Sequence, residues 1–93
     1  MSKATILDAA VAVALRSNYR TVTRKAIASK AKVATGTVSY HFGSMTRLRD
    51  AIIKRGVDGR LPVIVAQGLA DKHRLTRKIA PDLKAAAIKL IAA

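Results

Sequence analysis

Thr23-Arg24-Lys25-Ala26-Ile27-Ala28-Ser29-Lys30-Ala31-Lys32-Val33-Ala34-Thr35-Gly36-Thr37-Val38-Ser39-Tyr40-His41-Phe42 is the stretch on which the reading of this 93-residue chain turns. Thr23 is a good N-cap, because its hydroxyl can satisfy an orphan amide at the start of a helix over 24–31. Ala26 and Ile27, with Ala31, make the apolar face of that helix. Lys32-Val33-Ala34 reads as a tight turn with Val33 as its buried plug. A second short helix runs from Thr35 to about His41. Two short helices joined by such a turn describe a helix-turn-helix. In the second helix Val38 and Phe42 turn inward, whereas Thr35, Thr37, Ser39 and Tyr40 face out. Hydroxyls can donate to or accept from base edges, and a threonine methyl can pack on thymine. Gly36 lets the helix start approach a duplex closely, and the amides there favour a phosphate.

Working outward, Ile6, Ala10, Val13 and Ala14 recur at helical spacing with Leu7 beside them, which predicts a helix over 4–16. Asn18 can end it in a left-handed conformation. On the other side Gly43-Ser44 closes the second short helix, and Ser44 caps a fourth helix from Met45. Leu48, Ala51, Ile52 and Arg55 carry that helix until Gly56 to Gly59 stops it. Pro62 can open a helix through Leu69. The β-branched run Val63-Ile64-Val65 would also suit a strand, but every neighbour is helical and helix is preferred. Residues 71–78 are basic and weakly patterned. Pro81 opens a last helix over 82–91 whose stripe is Leu83, Ala87, Leu90 and Ile91. This stripe reads as a dimer interface, with an intrachain core as the alternative. The fold class is therefore all-α, in two parts: 1–56 as the reader, and 57–93 as a short helical segment that pairs two chains.

Charge points to the partner. Eighteen Lys and Arg oppose five acids, for a net +13. Residues 16–60 carry net +9, residues 61–93 carry +4, and the first fifteen are neutral. Such a chain repels itself unless a polyanion neutralises it. Double-stranded DNA is the expected partner and an anionic membrane the competitor. With no cysteine, disulfides and thiolate metal sites are excluded, and a reducing cytoplasm is comfortable. His41 and His73 are the only histidines and there is no Glu, so neither a metal nor any other cofactor is expected. No nucleophile-base pair, paired carboxylates or phosphate-binding loop points to an enzyme. No apolar run approaches the roughly 20 residues a membrane span needs, and no signal-peptide order opens the chain. Half the residues are apolar but mostly small. Such a core suits close helices and some stabilisation by a second chain.

At these residues the chain resembles the TetR family of bacterial transcriptional repressors. The resemblance covers about 6–53. It rests on Ile6-Leu7-Asp8-Ala9-Ala10, Tyr19, Thr23 through Ala28, Ala31-Lys32-Val33, and above all Gly36-Thr37-Val38-Ser39-Tyr40-His41-Phe42 followed by Ser44 and Leu48. It implies that Thr35, Gly36, Thr37, Ser39 and Tyr40 touch bases or nearby phosphates. Tyr40 and His41 match phosphate contacts at the helix end, and Thr23 and Arg24 match backbone contacts. Arg24, Lys25, Lys30 and Lys32 are either phosphate contacts or a solvated face. Three positions depart from the family pattern. Lys32 replaces the turn glycine, Ser39 the first aromatic, and Met45 the lysine opening the fourth helix. Arg47, favoured by its first-turn place, or Arg49 then supplies that charge.

The family carries a larger helical ligand-binding and dimerisation domain after its reader, whereas here about thirty-five residues follow. No small-molecule inducer pocket of the family type is expected. The expected function is a cytoplasmic, sequence-specific repressor that binds an inverted-repeat operator as a homodimer and associates with the nucleoid when bound. Its two recognition helices would face major grooves about 34 Å apart. A non-specific architectural DNA binder is the alternative.

Overall fold

Small residues let the first helix seat two others at close range, and the rest of the molecule is arranged around that seat. A computed structural model describes residues 2–92. Among them the chain forms six α-helices and one 3-10 turn, without a strand. Helix α1 (Lys3–Arg16) starts at Ser2, whose Oγ accepts the Thr5 amide at 3.2 Å. It buries Ile6, Ala9, Ala10, Val11 and Ala14, and three alanines in that face hold the neighbouring backbones near. Asn18 does not take the expected left-handed conformation. The helix ends at Ser17, where φ is −139° and Oγ donates to the Val13 carbonyl at 2.9 Å. Asn18 Oδ1 instead accepts the Arg20 amide.

Helix α2 (Arg24–Ala31) is capped by Thr23 Oγ1, which accepts the Ala26 amide at 3.1 Å. Its buried residues are Ile27, Ala28 and Ala31. Ala26 stays exposed, because the face turned to α1 is one step further along the helix. Lys32 ends α2 in the left-handed region at φ 59°, and the Val33 amide reaches back to the Ala28 carbonyl at 3.0 Å. The departure from the family's turn glycine therefore leaves the turn where a glycine would put it. Helix α3 (Thr35–Phe42) buries Val38 and Phe42. Helix α4 (Met45–Asp58) is capped by Ser44 and buries Leu48, Ile52, Ile53 and Gly56. The helix ends within the expected stop, at Asp58 with Gly59 as its C-cap, and Gly56 lies inside its last turn. A Cβ there would come within 2.3 Å of Ile64 Cγ2, so this glycine serves a close approach.

Helix α5 (Pro62–Ala70) carries Pro62 in its first turn. Its β-branched run costs about 0.5 kcal/mol per residue in helix propensity. Fully burying Ile64 and Val65 offsets that several times over, at about 1.5–3 kcal/mol each. Packing therefore decides for helix over strand. Ile64 enters the same core as Ile6, Ile27, Val38, Leu48 and Ile52. A 3-10 turn at Arg74–Thr76 leads to α6 (Pro81–Ala92).

The dimer stripe needs correction. Leu83 (4% exposed) and Ala87 (fully buried) pack within the chain against Val65 and Ala66. Helix α5 presents an apolar face that α6 must cover, and these two residues cover it. Leu90 and Ile91 remain about half exposed.

Candidate nucleic-acid interface

Helix α3 is anchored by two side chains and leaves the rest of its surface open. Val38 (1% exposed) and Phe42 (6%) hold it to the core, while Tyr40 is 85% exposed. Thr35 and Gly36 are exposed, and Thr37, Ser39 and His41 are half-buried along its flanks. The Tyr40 and His41 rings meet edge to face at 5.3 Å. Ala34, the N-cap, offers no side-chain hydrogen bond, so the first amides of α3 are not capped from within. Gly36 has nothing within 4 Å of the position a Cβ would take. The fold itself thus gives no packing reason for glycine there.

The remaining residues surround this helix. Thr23 is exposed and its Oγ1 is engaged as the α2 cap, with Arg24 and Lys25 exposed in the first turn of that helix. Arg47 lies in the first turn of α4 and folds back over Gly43, where φ of 77° favours glycine. Met45 at the α4 start is half-buried against the core, consistent with its loss of the family's charge. Sequence reasoning passes over Lys3. Its Nζ sits 5.2 Å from the Phe42 ring centroid, a cation–π contact that brings a charge from α1 beside the end of α3. No local pattern in α1 announces that contact.

All five aspartates have cationic partners. Asp8 pairs with Arg55, Asp58 with Lys54, Asp71 with Arg20, Asp82 with Arg60, and Asp50 with His73 and Arg74. None of these acids lies between residues 9 and 49. Arg24, Lys25, Lys30, Lys32, Arg47 and Arg49 make no salt bridge among the described residues. Each exposed pair elsewhere is worth little in itself, but the pairing leaves net charge concentrated around α2, α3 and the start of α4. Arg49 goes further, since its Nε is buried without a hydrogen-bond partner.

A family model for bacterial regulatory proteins of the tetR family matches residues 6–52, just over half of the chain. The chain belongs to the TetR family. No curated protein and no solved structure matches it. This TetR-family chain is a DNA-binding transcription regulator, and its α2 and α3 form the helix-turn-helix. TetR-family regulators are generally non-enzymatic. Among the described residues no group of His, Cys, Asp or Glu could hold a metal ion, and no helix is long and apolar enough to cross a membrane.

Proposed function

We propose that this regulator is a repressor that reads an inverted-repeat operator as a homodimer. The observation that carries the reading is the exposed surface of α3, with Tyr40 outward, Val38 and Phe42 inward, and carboxylate-free cations around it. Thr35, Thr37 and Ser39 supply hydroxyls for base edges, and Gly36 permits close approach. Thr23, Arg24 and Lys25 at the start of α2 hold backbone phosphates from one side, and Tyr40, His41 and Arg47 hold them from the other. Occupying an operator in the cytoplasm blocks access to the promoter beneath it.

Pairing is assigned to Leu90 and Ile91 together with Val63, in place of Leu83 and Ala87. These three line an open groove of about 450 Å³ with Asn18, Ala66, Gln67 and Ala70, and no charged residue lines it. On a chain of net +13, an uncharged apolar strip is where a second copy meets least repulsion. The tail is read as a pairing element and not as an inducer chamber, because α5 and α6 close on each other through Val65, Ala66, Leu83 and Ala87.

Selection of bound sequences from a random duplex pool tests the whole reading. The expected result is an enriched palindrome whose half-sites are centred about one helical turn apart. Binding that enriches no sequence overturns it and favours the architectural reading, since a specific reader exceeds bulk DNA by roughly 10³-fold or more.

A further inference from the structure

The tail carries a basic recess of its own, away from the recognition helix. Lys72, Arg77 and Lys84 line it with Leu69, His73 and Thr76, around a volume of about 330 Å³. No carboxylate lines this recess. The acids nearest in sequence point elsewhere: Asp71 bonds Tyr19 and Arg20, and Asp82 bonds Arg60. Both ring nitrogens of His73 are engaged, Nδ1 by the Leu75 amide at 3.1 Å and Nε2 by Asp50 at 2.8 Å. The ring therefore walls the recess while the three cations supply its charge.

The backbone adds a second observation. Among the described residues the non-glycine positions with positive φ are Lys32, Arg60 and Lys72, so each is a cation standing where glycine would be unstrained. Lys72 occupies such a position at the end of α5. Its amide bonds the Leu69 carbonyl at 3.0 Å, and the next amide bonds Gly68 at 2.8 Å. A helix end of this kind needs only a glycine, so the lysine carries strain that the cap itself does not require.

The recess shares one wall, His73, with a second recess nearer the start of α4. This second recess, of about 320 Å³, reaches Arg20, Thr46 and Arg49. Its carboxylates are already bonded, Asp71 to Tyr19 and Arg20, Asp50 to His73 and Arg74. The orphaned Nε of Arg49 belongs to the same wall. Along this wall the charges of Arg20 and Arg49 are balanced by Asp50 and Asp71, so the unpaired positive charge is that of Lys72, Arg77 and Lys84.

We propose that Lys72, Arg77 and Lys84 bind backbone phosphates of the same duplex, beyond the segment that α3 reads. The inference rests on α3 as the reading helix and adds a second, sequence-independent contact that lengthens the footprint. Phosphate contacts of this kind raise affinity and steepen its salt dependence by about 0.9 per phosphate neutralised.

Duplex length crossed with a triple variant tests it. The selected operator is prepared both ending at its half-sites and extended by about one helical turn on each side. Wild-type protein is expected to bind the extended duplex at least tenfold tighter at low salt, with a slope steeper by about five, three phosphates being neutralised by each of the two protomers. K72A/R77A/K84A is expected to match wild type on the short duplex and to lose the gain from length. All three side chains are exposed, so their truncation leaves the core intact. K78A/K89A removes like charge from the same segment outside the recess and is expected to keep the gain. Equal wild-type affinity for both lengths would overturn the proposal. So would a triple variant that keeps the gain, a K78A/K89A variant that loses it, or capture of a separate second duplex through the recess. Binding to neither duplex would instead overturn the operator reading.

Discussion

Tyr19 and Asp71 stand 52 positions apart and meet in a 2.5 Å hydrogen bond, the phenol donating to Oδ2. Tyr19 is 2% exposed, and burial, then the bond to Asp71, pushes its ionisation well above the usual tyrosine range. It therefore stays a donor throughout the ordinary pH range. The next contact in the same joint is made by Gln67, whose Oε1 accepts the Tyr19 amide at 2.8 Å while Nε2 donates to the Ala14 carbonyl at 3.0 Å. One side chain of α5 thus ties the end of α1 to the loop before α2. The tail positions the helix-turn-helix through polar bonds as well as through Ile64. Tyr19→Phe keeps the ring and removes the donor. It is expected to lower stability by about 1–2 kcal/mol in denaturant titration, with Asp71 still held by Arg20. An unchanged midpoint would show that the joint contributes nothing.

Lys32→Gly separates fold from function at the turn. A left-handed lysine costs about 1–2 kcal/mol, and glycine recovers part of that while adding freedom to the unfolded chain. The variant is expected to gain about 0.5–1 kcal/mol in thermal or chemical unfolding. The same substitution removes a charge that has no carboxylate partner, so affinity for non-specific DNA should fall. Its salt slope should flatten by no more than about two units, one for each protomer of the dimer. Gain in stability with unchanged affinity and salt slope would place Lys32 on a merely solvated face.

Asp50 gives the pH dependence. Its hydrogen bond from the Arg74 guanidinium, together with His73, holds its carboxyl below the usual value of 3.8, against the opposing effect of burial. A carboxylate depressed in the folded state stabilises above the unfolded value, and that contribution fades as pH falls through the folded one. Asp50→Asn is expected to cost about 1 kcal/mol at pH 7, allowing for screening of a site partly open to water. The gap from wild type should stay constant down to about pH 4 and close below it. A gap that persists unchanged at pH 2–3 would remove the charge from the explanation.

Helix positions and the exposed side of α3 were legible because both depend on local signals. Ser44 and Thr23 announce their helices as caps, and Val38 and Phe42 against Tyr40 announce the two sides of α3. The fate of Leu83 and Ala87 was not legible. Their stripe has the same spacing whether it covers α5 or a second chain, and only the fold decides which. The packing role of Gly56 was hidden for a related reason: within the stop at 56–59 only Gly59 caps α4, and the close approach that calls for glycine at 56 is to Ile64 on another helix. The joint among Tyr19, Gln67 and Asp71 was invisible because each member's partner is far along the chain.

Thr37 and Arg24 test the division between base reading and phosphate binding. Thr37 is half-buried on the flank of α3 with its hydroxyl available, and Arg24 is an exposed first-turn cation of α2 without a carboxylate partner. Thr37→Ala is expected to relax preference at one base position by about 1 kcal/mol. Arg24→Ala is expected to weaken operator and random DNA alike and to reduce the salt slope by about one for each protomer bound. Equal weakening of all sequences by Thr37→Ala would move the reading surface off α3.

Gly36 and Gly56 both sit inside helices, yet they should respond to alanine in opposite directions. At Gly56 the new Cβ meets Ile64 Cγ2 at 2.3 Å and Cβ at 2.7 Å. Ile64 is fully buried and branched at that very carbon, so it cannot swing aside. Overpacking of about 1–3 kcal/mol outweighs a helix gain of about 1 kcal/mol, and Gly56→Ala should destabilise the fold. At Gly36 the space is empty, so alanine should stabilise α3 by about 0.5–1 kcal/mol. If a duplex approaches that backbone closely, the same methyl group must lower operator affinity even as the unfolding midpoint rises. Gly36→Ala protein with a higher midpoint and undiminished operator binding would show that the duplex does not come near the start of α3.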